Sequence, residues 1–118
     1  MEQSYSKKDK LKSQKTIERL FEKGTSITAF PLRVVYLKIE GRNQVGVSVS
    51  KRNFKKAVDR NRIKRLMREA YRLNKKMLID NNIDGYAFMI LYIGKTLPDF
   101  DSVNKKVQSL FTKLIKDS

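Results

Sequence analysis

Apolar side chains recur along the chain at two spacings, and each spacing predicts one kind of element. Repeats of three and four residues mark a helix face, and alternation marks a strand face. Residues 24–31 form a turn or a short edge strand, because Pro31 disfavours helix and lacks a ladder donor. The predicted helices cover residues 13–23, 56–78 and about 101–116, and the predicted strands cover residues 32–39, 44–51 and 86–93.

The first predicted helix has sequence signals at both ends. Ser13 is a candidate N-cap, and Gly24 follows the last apolar position, where glycine often ends a helix. Between them, Ile17, Leu20 and Phe21 share one helix face. We expect all three to pack in the core.

The predicted strands differ in how their two faces are made. Residues 32–39 and 44–51 lie close enough along the chain to pair as a hairpin. One face of the second strand holds valines, whereas the other holds only a glycine, Ser48 and Ser50. That face is either exposed or the floor of a cleft. Residues 86–93 are almost continuously apolar, which predicts a central strand paired in parallel with an earlier strand.

The helix predicted at residues 56–78 divides into an apolar and a cationic face. A solvated face normally mixes both signs of charge, but this one is almost wholly positive. The pattern predicts a helix that packs on the sheet and presents cations to nucleic acid. The apolar arc holds Ile63, Leu66, Met67, Ala70, Tyr71, Leu73 and Met77, and the opposite arc holds Asn61, Lys64, Arg65, Arg68, Arg72 and Lys75.

Positive charge is concentrated around this helix. The chain has 27 basic and 12 acidic residues, a net charge of +15, and a pI of about 10.2. Residues 51–76 alone hold twelve of the basic and two of the acidic side chains. Such a cluster repels itself unless a polyanion meets it, so nucleic acid is the predicted partner rather than a membrane.

Few side chains in the sequence are suited to catalysis. The chain has no histidine and no cysteine, and it has no glycine-rich phosphate loop or metal-ligand cluster. Asp99 and Asp101 are most simply a turn residue and a helix cap, with Asp101 or Ser102 capping the last helix. We therefore predict no catalytic residue, no metal site and no small-molecule substrate in the protein.

Targeting segments are also missing from the pattern. Residues 1–10 are polar and charged, which predicts a flexible tail rather than a secretory signal. The longest apolar run, residues 86–93, is too short to span a membrane. We expect a single domain over residues 1–118 and a cytoplasmic location.

The basic helix carries a recognisable motif. Residues 57–69, AVDRNRIKRLMRE, resemble the arginine-rich signature of the bacterial ribonuclease P protein family. Residues 45–52, VGVSVSKR, resemble the family's strand leading into that helix, and residues 11–26 resemble its opening helix and closing glycine. The resemblance covers nearly the whole chain in the same order. The core of the motif is Arg60, Asn61, Arg62, Lys64 and Arg65.

The resemblance implies a fold and an activity. The fold is a single two-layer α+β domain of order α-β-β-β-α-β-α, like a domain of a small-subunit ribosomal protein, with a left-handed β-α-β crossover against the usual rule. The activity is that of an endoribonuclease subunit that helps a catalytic RNA remove the 5′ leader from precursor tRNA. The catalytic groups and the Mg²⁺ ions are then held mainly by the RNA.

The resemblance also implies two binding regions. The basic helix and its approach contact the ribonuclease P RNA, and a central cleft holds the leader of precursor tRNA. The implied RNA-subunit contacts are Lys51, Arg52, Arg60, Asn61, Arg62, Lys64, Arg65, Arg68 and Arg72. The implied aromatic contacts to the leader are Phe21 and Tyr36, and we add Ser48 and Ser50 as the cleft floor.

Two other classes of protein share parts of this pattern. A structural ribosomal protein has similar size and charge, but the motif at residues 60–68 argues against it. A DNA-binding module with its basic helix in the major groove needs base-reading side chains and usually a dimer interface. A single basic ridge beside a bare sheet face favours single-stranded RNA instead.

Overall fold

The computed structural model describes residues 10–117, and within that range it has three helices and four strands. Their order is the predicted α-β-β-β-α-β-α, which confirms the α+β fold class. Residues 24–31, which were predicted to be either a turn or a short edge strand, contain a strand. The elements are α1 (Gln14–Lys23), β1 (Thr25–Ala29), β2 (Leu32–Lys38), β3 (Gln44–Val49), α2 (Ala57–Asp80), β4 (Tyr86–Tyr92) and α3 (Phe100–Asp117).

The strands form one sheet in the order β1-β2-β4-β3. β4 pairs antiparallel with β2 and parallel with β3, so the predicted central strand and its parallel pairing are confirmed. The predicted hairpin between residues 32–39 and 44–51 is wrong, because β4 lies between β2 and β3 and pairs with both. The hairpin partner of β2 is β1. Helix α2 makes the crossover from β3 to β4, and the left hand of this crossover stays a prediction from the family resemblance.

Helices α2 and α3 cover one face of the sheet and form the second of the two predicted layers. The rings of Tyr71 and Phe111 meet edge-on, with centroids 6.2 Å apart. The buried amide of Asn74 donates to the Ala70 carbonyl and to Asn104 Oδ1, both at 2.7 Å. These contacts fix α2 against α3 and therefore fix which side of α2 faces solvent. The predicted apolar stripe of α3 is confirmed, with five positions buried and one partly buried: Val103, Val107, Leu110, Phe111, Leu114 and Ile115.

Helix α1 packs on the opposite face of the sheet. Leu20 is fully buried against Val35 and its neighbours, and Ile17 is partly buried there. Phe21 is 53% exposed, so the expectation that it packs in the core is wrong. Of these three side chains, only Leu20 and Ile17 therefore pack against the sheet.

The ends of α1 follow the predicted signals with one change. Ser13 Oγ accepts a hydrogen bond from the Thr16 N–H at 3.3 Å, which confirms the N-cap. Gly24 ends the helix with φ −71° and not in the left-handed region. Glycine is needed at this position because an added Cβ would clash with the Leu20 carbonyl oxygen and lie 2.8 Å from Val35 Cγ1.

Helix α3 begins earlier than predicted. Asp99 Oδ1 accepts a hydrogen bond from the Ser102 N–H at 2.8 Å, and the helix starts at Phe100. Asp99 is therefore the capping side chain, and the prediction of Asp101 or Ser102 is wrong. The bond stabilises the carboxylate, which lowers the pKa of Asp99.

The amino-terminal segment extends the sheet at β3. Lys10 forms a parallel bridge with Val45, and the Leu11 N–H donates to the Val45 carbonyl at 3.0 Å. Lys10, the last residue of the predicted flexible tail, is thus paired, and residues 1–9 lie outside the described range. Leu11 is buried beside α1 and closes one side of the sheet face that α1 covers.

Candidate nucleic-acid interface

A short connecting segment, residues 50–56, leads from β3 into α2. Its first residue shapes a tight turn: Ser50 Oγ accepts from the Arg52 and Asn53 N–H groups at 3.2 and 3.4 Å, and its carbonyl accepts from the Phe54 N–H at 3.1 Å. The Ser50 side chain is exposed, its hydroxyl oxygen accepts both bonds within the turn, and its place in a cleft floor stays a prediction. Four exposed cations project from the segment: Lys51, Arg52, Lys55 and Lys56.

The connecting segment is anchored to the end of β4. Phe54 is buried, and its ring centroid lies 5.9 Å from that of Tyr92. Asn53 Nδ2 donates to the Gly94 carbonyl at 3.2 Å, and the Tyr92 hydroxyl donates to the Thr96 carbonyl at 2.6 Å. These contacts hold the four cations in a defined place next to the start of α2.

Helix α2 presents the predicted cationic face to solvent. Asn61, Arg65 and Arg68 follow one line at i, i+4 and i+7, and all three are exposed. Leu73, predicted on the apolar arc, is 40% exposed, and Asn74, which the prediction placed on neither arc, is buried. We call the exposed or half-exposed set the basic surface: Lys51, Arg52, Lys55, Lys56, Asn61, Arg62, Lys64, Arg65 and Arg68.

Two predicted RNA contacts are engaged within the protein. Arg60 Nη1 donates to the carbonyls of Phe54 and Lys55 at 2.8 and 2.9 Å. Arg72 Nε donates to Glu69 Oε1 at 2.9 Å, and a second bond joins Nη2 to Oε2. This hydrogen-bonded pair lowers the pKa of Glu69 and raises the pKa of Arg72. Neither arginine presents its whole guanidinium to a partner, in contrast to the neighbouring Arg65.

A second surface lies on the sheet face that carries α1. At the end of the sheet nearest the connecting segment, one row of side chains on this face is exposed or half-buried. The register pairs Thr28 with Arg33, Arg33 with Leu91, and Leu91 with Ser48. Thr28 and Arg33 are exposed, and Leu91 and Ser48 are half-buried. We call this row across all four strands the open face.

The predicted leader contacts do not all lie on the open face. Phe21 projects from α1 on the same side of the sheet as Ser48. Tyr36 lies on the opposite side, where its ring is 6.1 Å from that of Tyr86 and 6.4 Å from that of Phe88. Burial, with a smaller effect of the nearby Asp117, raises the pKa of Tyr36. The structure therefore separates Tyr36 from the other predicted residues of the cleft.

The sequence pattern indicates on which side of the sheet Tyr36 lies, but it does not indicate that Arg33 belongs to the open face. The alternation of β2 groups Tyr36 with the buried Leu32 and Val34, which predicts that Tyr36 lies on the core side of the sheet. Arg33 joins the open face only because β2 pairs with β4 in one register. No local pattern in the sequence specifies that pairing.

The described residues offer little for a metal ion or a membrane. Between residues 10 and 117, no three acidic side chains come together as a metal site. Within the same residues, no helix is long and apolar enough to cross a membrane. The chemistry on display is cationic and hydrogen-bonding, which suits the binding of phosphate groups.

Comparisons with known proteins bear on the family to which the chain belongs. A ribonuclease P family model matches residues 5–115. The ribonuclease P protein component of Porphyromonas gingivalis is 40% identical over 118 residues, covering 92% of this chain and 85% of that protein. The component of Chlorobium phaeobacteroides is 36% identical, covering 91% and 85%.

Solved structures share the fold at lower identity. The ribonuclease P protein of Staphylococcus aureus superposes with a TM-score of 0.75 at 21% identity, covering 90% of this chain and 94% of that one. The protein from Thermotoga maritima gives 0.75 at 24% identity, covering 88% and 96%. The match of the family model over most of the chain, together with these relatives, shows that this chain belongs to the ribonuclease P protein family.

Proposed function

We propose that this protein is the RNA-binding subunit of ribonuclease P and assists its catalytic RNA in removing the 5′ leader from precursor tRNA. The observation that carries the proposal is the basic surface, in a chain of this family. Its cations project from two consecutive elements, the connecting segment and the first half of α2. This surface suits a folded polyanion better than a small ligand.

The basic surface is our candidate for contact with the ribonuclease P RNA. Each Lys or Arg that meets a phosphate releases bound counterions, so such contacts make affinity fall with salt. Arg62, Arg65 and Arg68 are exposed and lie on a helix held by its buried face. Arginine adds bidentate bonding to phosphate, which a point charge lacks.

The open face is our candidate for contact with the leader. Phe21 is a large aromatic side chain on α1, which packs on the same side of the sheet as this face, and it is 53% exposed. An exposed aromatic ring is suited to stacking on an unpaired base, and such stacking contributes about 1–3 kcal/mol per base. Arg33 and Ser48 add a cation and a hydroxyl within the same row of the sheet. Tyr36 is left out of this proposal because it packs on the other side of the sheet.

Catalysis in this proposal belongs to the RNA. Among residues 10–117, no three acidic side chains form a cluster that could hold a metal ion. In line with the family resemblance, we assign the Mg²⁺ ions of the reaction mainly to the RNA subunit. A cytoplasmic location follows from the proposed substrate, precursor tRNA.

Reconstitution tests the proposed function. The protein is mixed with ribonuclease P RNA and precursor tRNA at a Mg²⁺ concentration at which the RNA alone is slow. We expect leader removal to accelerate when protein is added, because its cations replace part of the counterion requirement. A rate that does not change with protein would contradict the proposal, and selective binding to ribosomal RNA would favour a structural ribosomal protein.

A further inference from the structure

Arg60 differs from the other arginines of the basic helix in what its guanidinium touches. Its Nη1 atom has two N–H groups, and the structure gives it two acceptors, the carbonyls of Phe54 and Lys55 at 2.8 and 2.9 Å. Arg60 is also half-buried, whereas Arg62, two residues further on, is exposed. The charge of Arg60 is thus directed back onto the connecting segment.

The carbonyls that Arg60 binds belong to irregular chain. Phe54 and Lys55 lie between β3 and α2, where neither a strand ladder nor a helix pairs their backbone. Backbone carbonyls in such a segment need another donor or water. A planar guanidinium reaches two successive carbonyls from one nitrogen, which an ammonium on a flexible stem does less well.

The same segment is tied down on its other side. Asn53 Nδ2 bonds the Gly94 carbonyl, and the buried Phe54 ring packs against Tyr92. The exposed cations lie on both sides of Asn53 and Phe54 along the chain: Lys51, Arg52, Lys55 and Lys56. Four neighbouring like charges repel one another, so a fixed backbone is required if they are to meet a set of phosphates together.

We infer that Arg60 is a positioning residue, which holds the connecting segment so that its four cations reach the RNA, and that it is not itself a principal phosphate contact. This inference rests on the proposed function and assigns unequal roles within the Arg60-Asn61-Arg62 motif. Arg62 contacts phosphate, and Arg60 shapes the backbone that carries other contacts.

The test compares charge-conserving and charge-removing changes at the two arginines. The variants are Arg60→Lys, Arg60→Gln, Arg62→Lys and Arg62→Gln, each measured for binding to a ribonuclease P RNA transcript across a salt series. Arg60→Lys keeps the charge but loses the two-carbonyl bond, so its affinity falls by about tenfold, the equivalent of one charged hydrogen bond. The affinity of Arg60→Gln for the transcript falls by a similar factor, and neither variant changes the slope of affinity against salt concentration.

Arg62 is the matched control and behaves the other way. Arg62→Lys stays within about threefold of the unchanged protein, and Arg62→Gln flattens the salt slope by about one contact, or 0.7–0.9 in log–log units. The inference is overturned if Arg60→Lys binds as tightly as the unchanged protein. It is also overturned if Arg60→Gln flattens the slope as much as Arg62→Gln.

Hydrogen exchange in the free protein separates this inference from the proposed function. The Phe54 and Arg60 amides bond the Ser50 and Lys56 carbonyls at 3.1 and 3.2 Å. In Arg60→Lys these two amides exchange faster while the amide of Ile90, in the central strand, keeps its rate. Unchanged exchange, or faster exchange everywhere, overturns the positioning role. Absence of RNA binding by the unchanged protein, with the local exchange effect intact, would instead count against the proposed function.

Discussion

The basic surface and the open face are built from different kinds of structure. The basic surface lies on one helix and the segment before it, so its residues are near neighbours in sequence. The open face takes one residue from each of four strands, and these residues span positions 28 to 91. The first surface is dominated by charge, whereas the second combines two hydroxyl side chains, one cation and one apolar side chain.

This difference teaches how the two surfaces divide the proposed work. A dense row of cations binds phosphates strongly but with little geometric demand, which suits anchoring on a large RNA. A row of mixed side chains, with an exposed aromatic residue on the same side of the sheet, suits an unpaired strand. Two of the predictions below change one surface and ask whether the other keeps its function, and the other two test the packing and capping of helices outside both surfaces.

The largest effect is expected from Leu20→Ala. Leu20 is fully buried between α1 and the sheet, so its truncation leaves a cavity and lowers the free energy of unfolding by about 3 kcal/mol. Chemical denaturation measures this loss. Phe21→Ala is the matched control on the same helix, and its exposed side chain predicts little change in stability. Equal losses for the two variants would mean that α1 does not pack as described.

Phe21→Ala is expected to weaken the binding of the leader. The ratio of affinities for precursor tRNA and mature tRNA, measured on the reconstituted complex, falls by about tenfold if one base stacks on this ring. Tyr36→Leu is the control, because Tyr36 lies on the opposite side of the sheet. A drop in the ratio for Tyr36→Leu and none for Phe21→Ala would move the leader to the other side of the sheet.

Arg65→Gln and Arg68→Gln are expected to weaken binding to the RNA subunit and to leave binding of the leader unchanged. Each removes one exposed cation, so each flattens the salt dependence of binding to the RNA subunit by about 0.7–0.9 in log–log slope. The preference for precursor over mature tRNA stays the same. Lys113→Gln, an exposed lysine on α3, is the control. If Lys113→Gln flattened the salt slope as much as Arg65→Gln, RNA binding would depend on the total charge of the protein and not on a defined surface.

The smallest effect concerns the cap of α3, which lies outside both surfaces. The pKa of Asp99 is lowered in the folded state by its bond to the Ser102 N–H, so its contribution is present above the ordinary pKa. That contribution is lost as pH falls through the lowered pKa. Asp99→Ala therefore lowers the Tm at pH 7, and the difference from the unchanged protein shrinks at low pH. Asp101→Ala, which lies two residues after the capping Asp99, is expected to leave the Tm nearly unchanged at both pH values.

Much of the fold could be predicted because the signals were local. The two faces of α2, the apolar run of β4 and the Ser13 cap each depend on a few neighbouring residues. The pairing of strands depends on distant ones. The predicted hairpin of β2 with β3 failed because β4, about 40 residues further on, lies between them.

The candidate site shows the same division. Helix periodicity placed Arg65 and Arg68 correctly on the exposed side of α2, whereas Lys64, Arg72 and Lys75 are half-buried. The inward bonds of Arg60 and the turn made by Ser50 depend on how irregular chain folds between two elements. Periodicity does not describe such chain. Arg33 was missed for a related reason, because only the sheet register brings it beside Leu91 and Ser48.

The central claim is that the basic surface meets the RNA subunit while the open face meets the leader. The chain has no cysteine, so Ser48→Cys and Arg65→Cys each create one unique site for a photoreactive crosslinker. Both modified proteins are assembled with ribonuclease P RNA and precursor tRNA, irradiated, and the crosslinked nucleotides are mapped. The account predicts crosslinks from position 48 to the 5′ leader and from position 65 to the RNA subunit. Crosslinks from position 48 to the RNA subunit alone, or from position 65 to the leader, would contradict it.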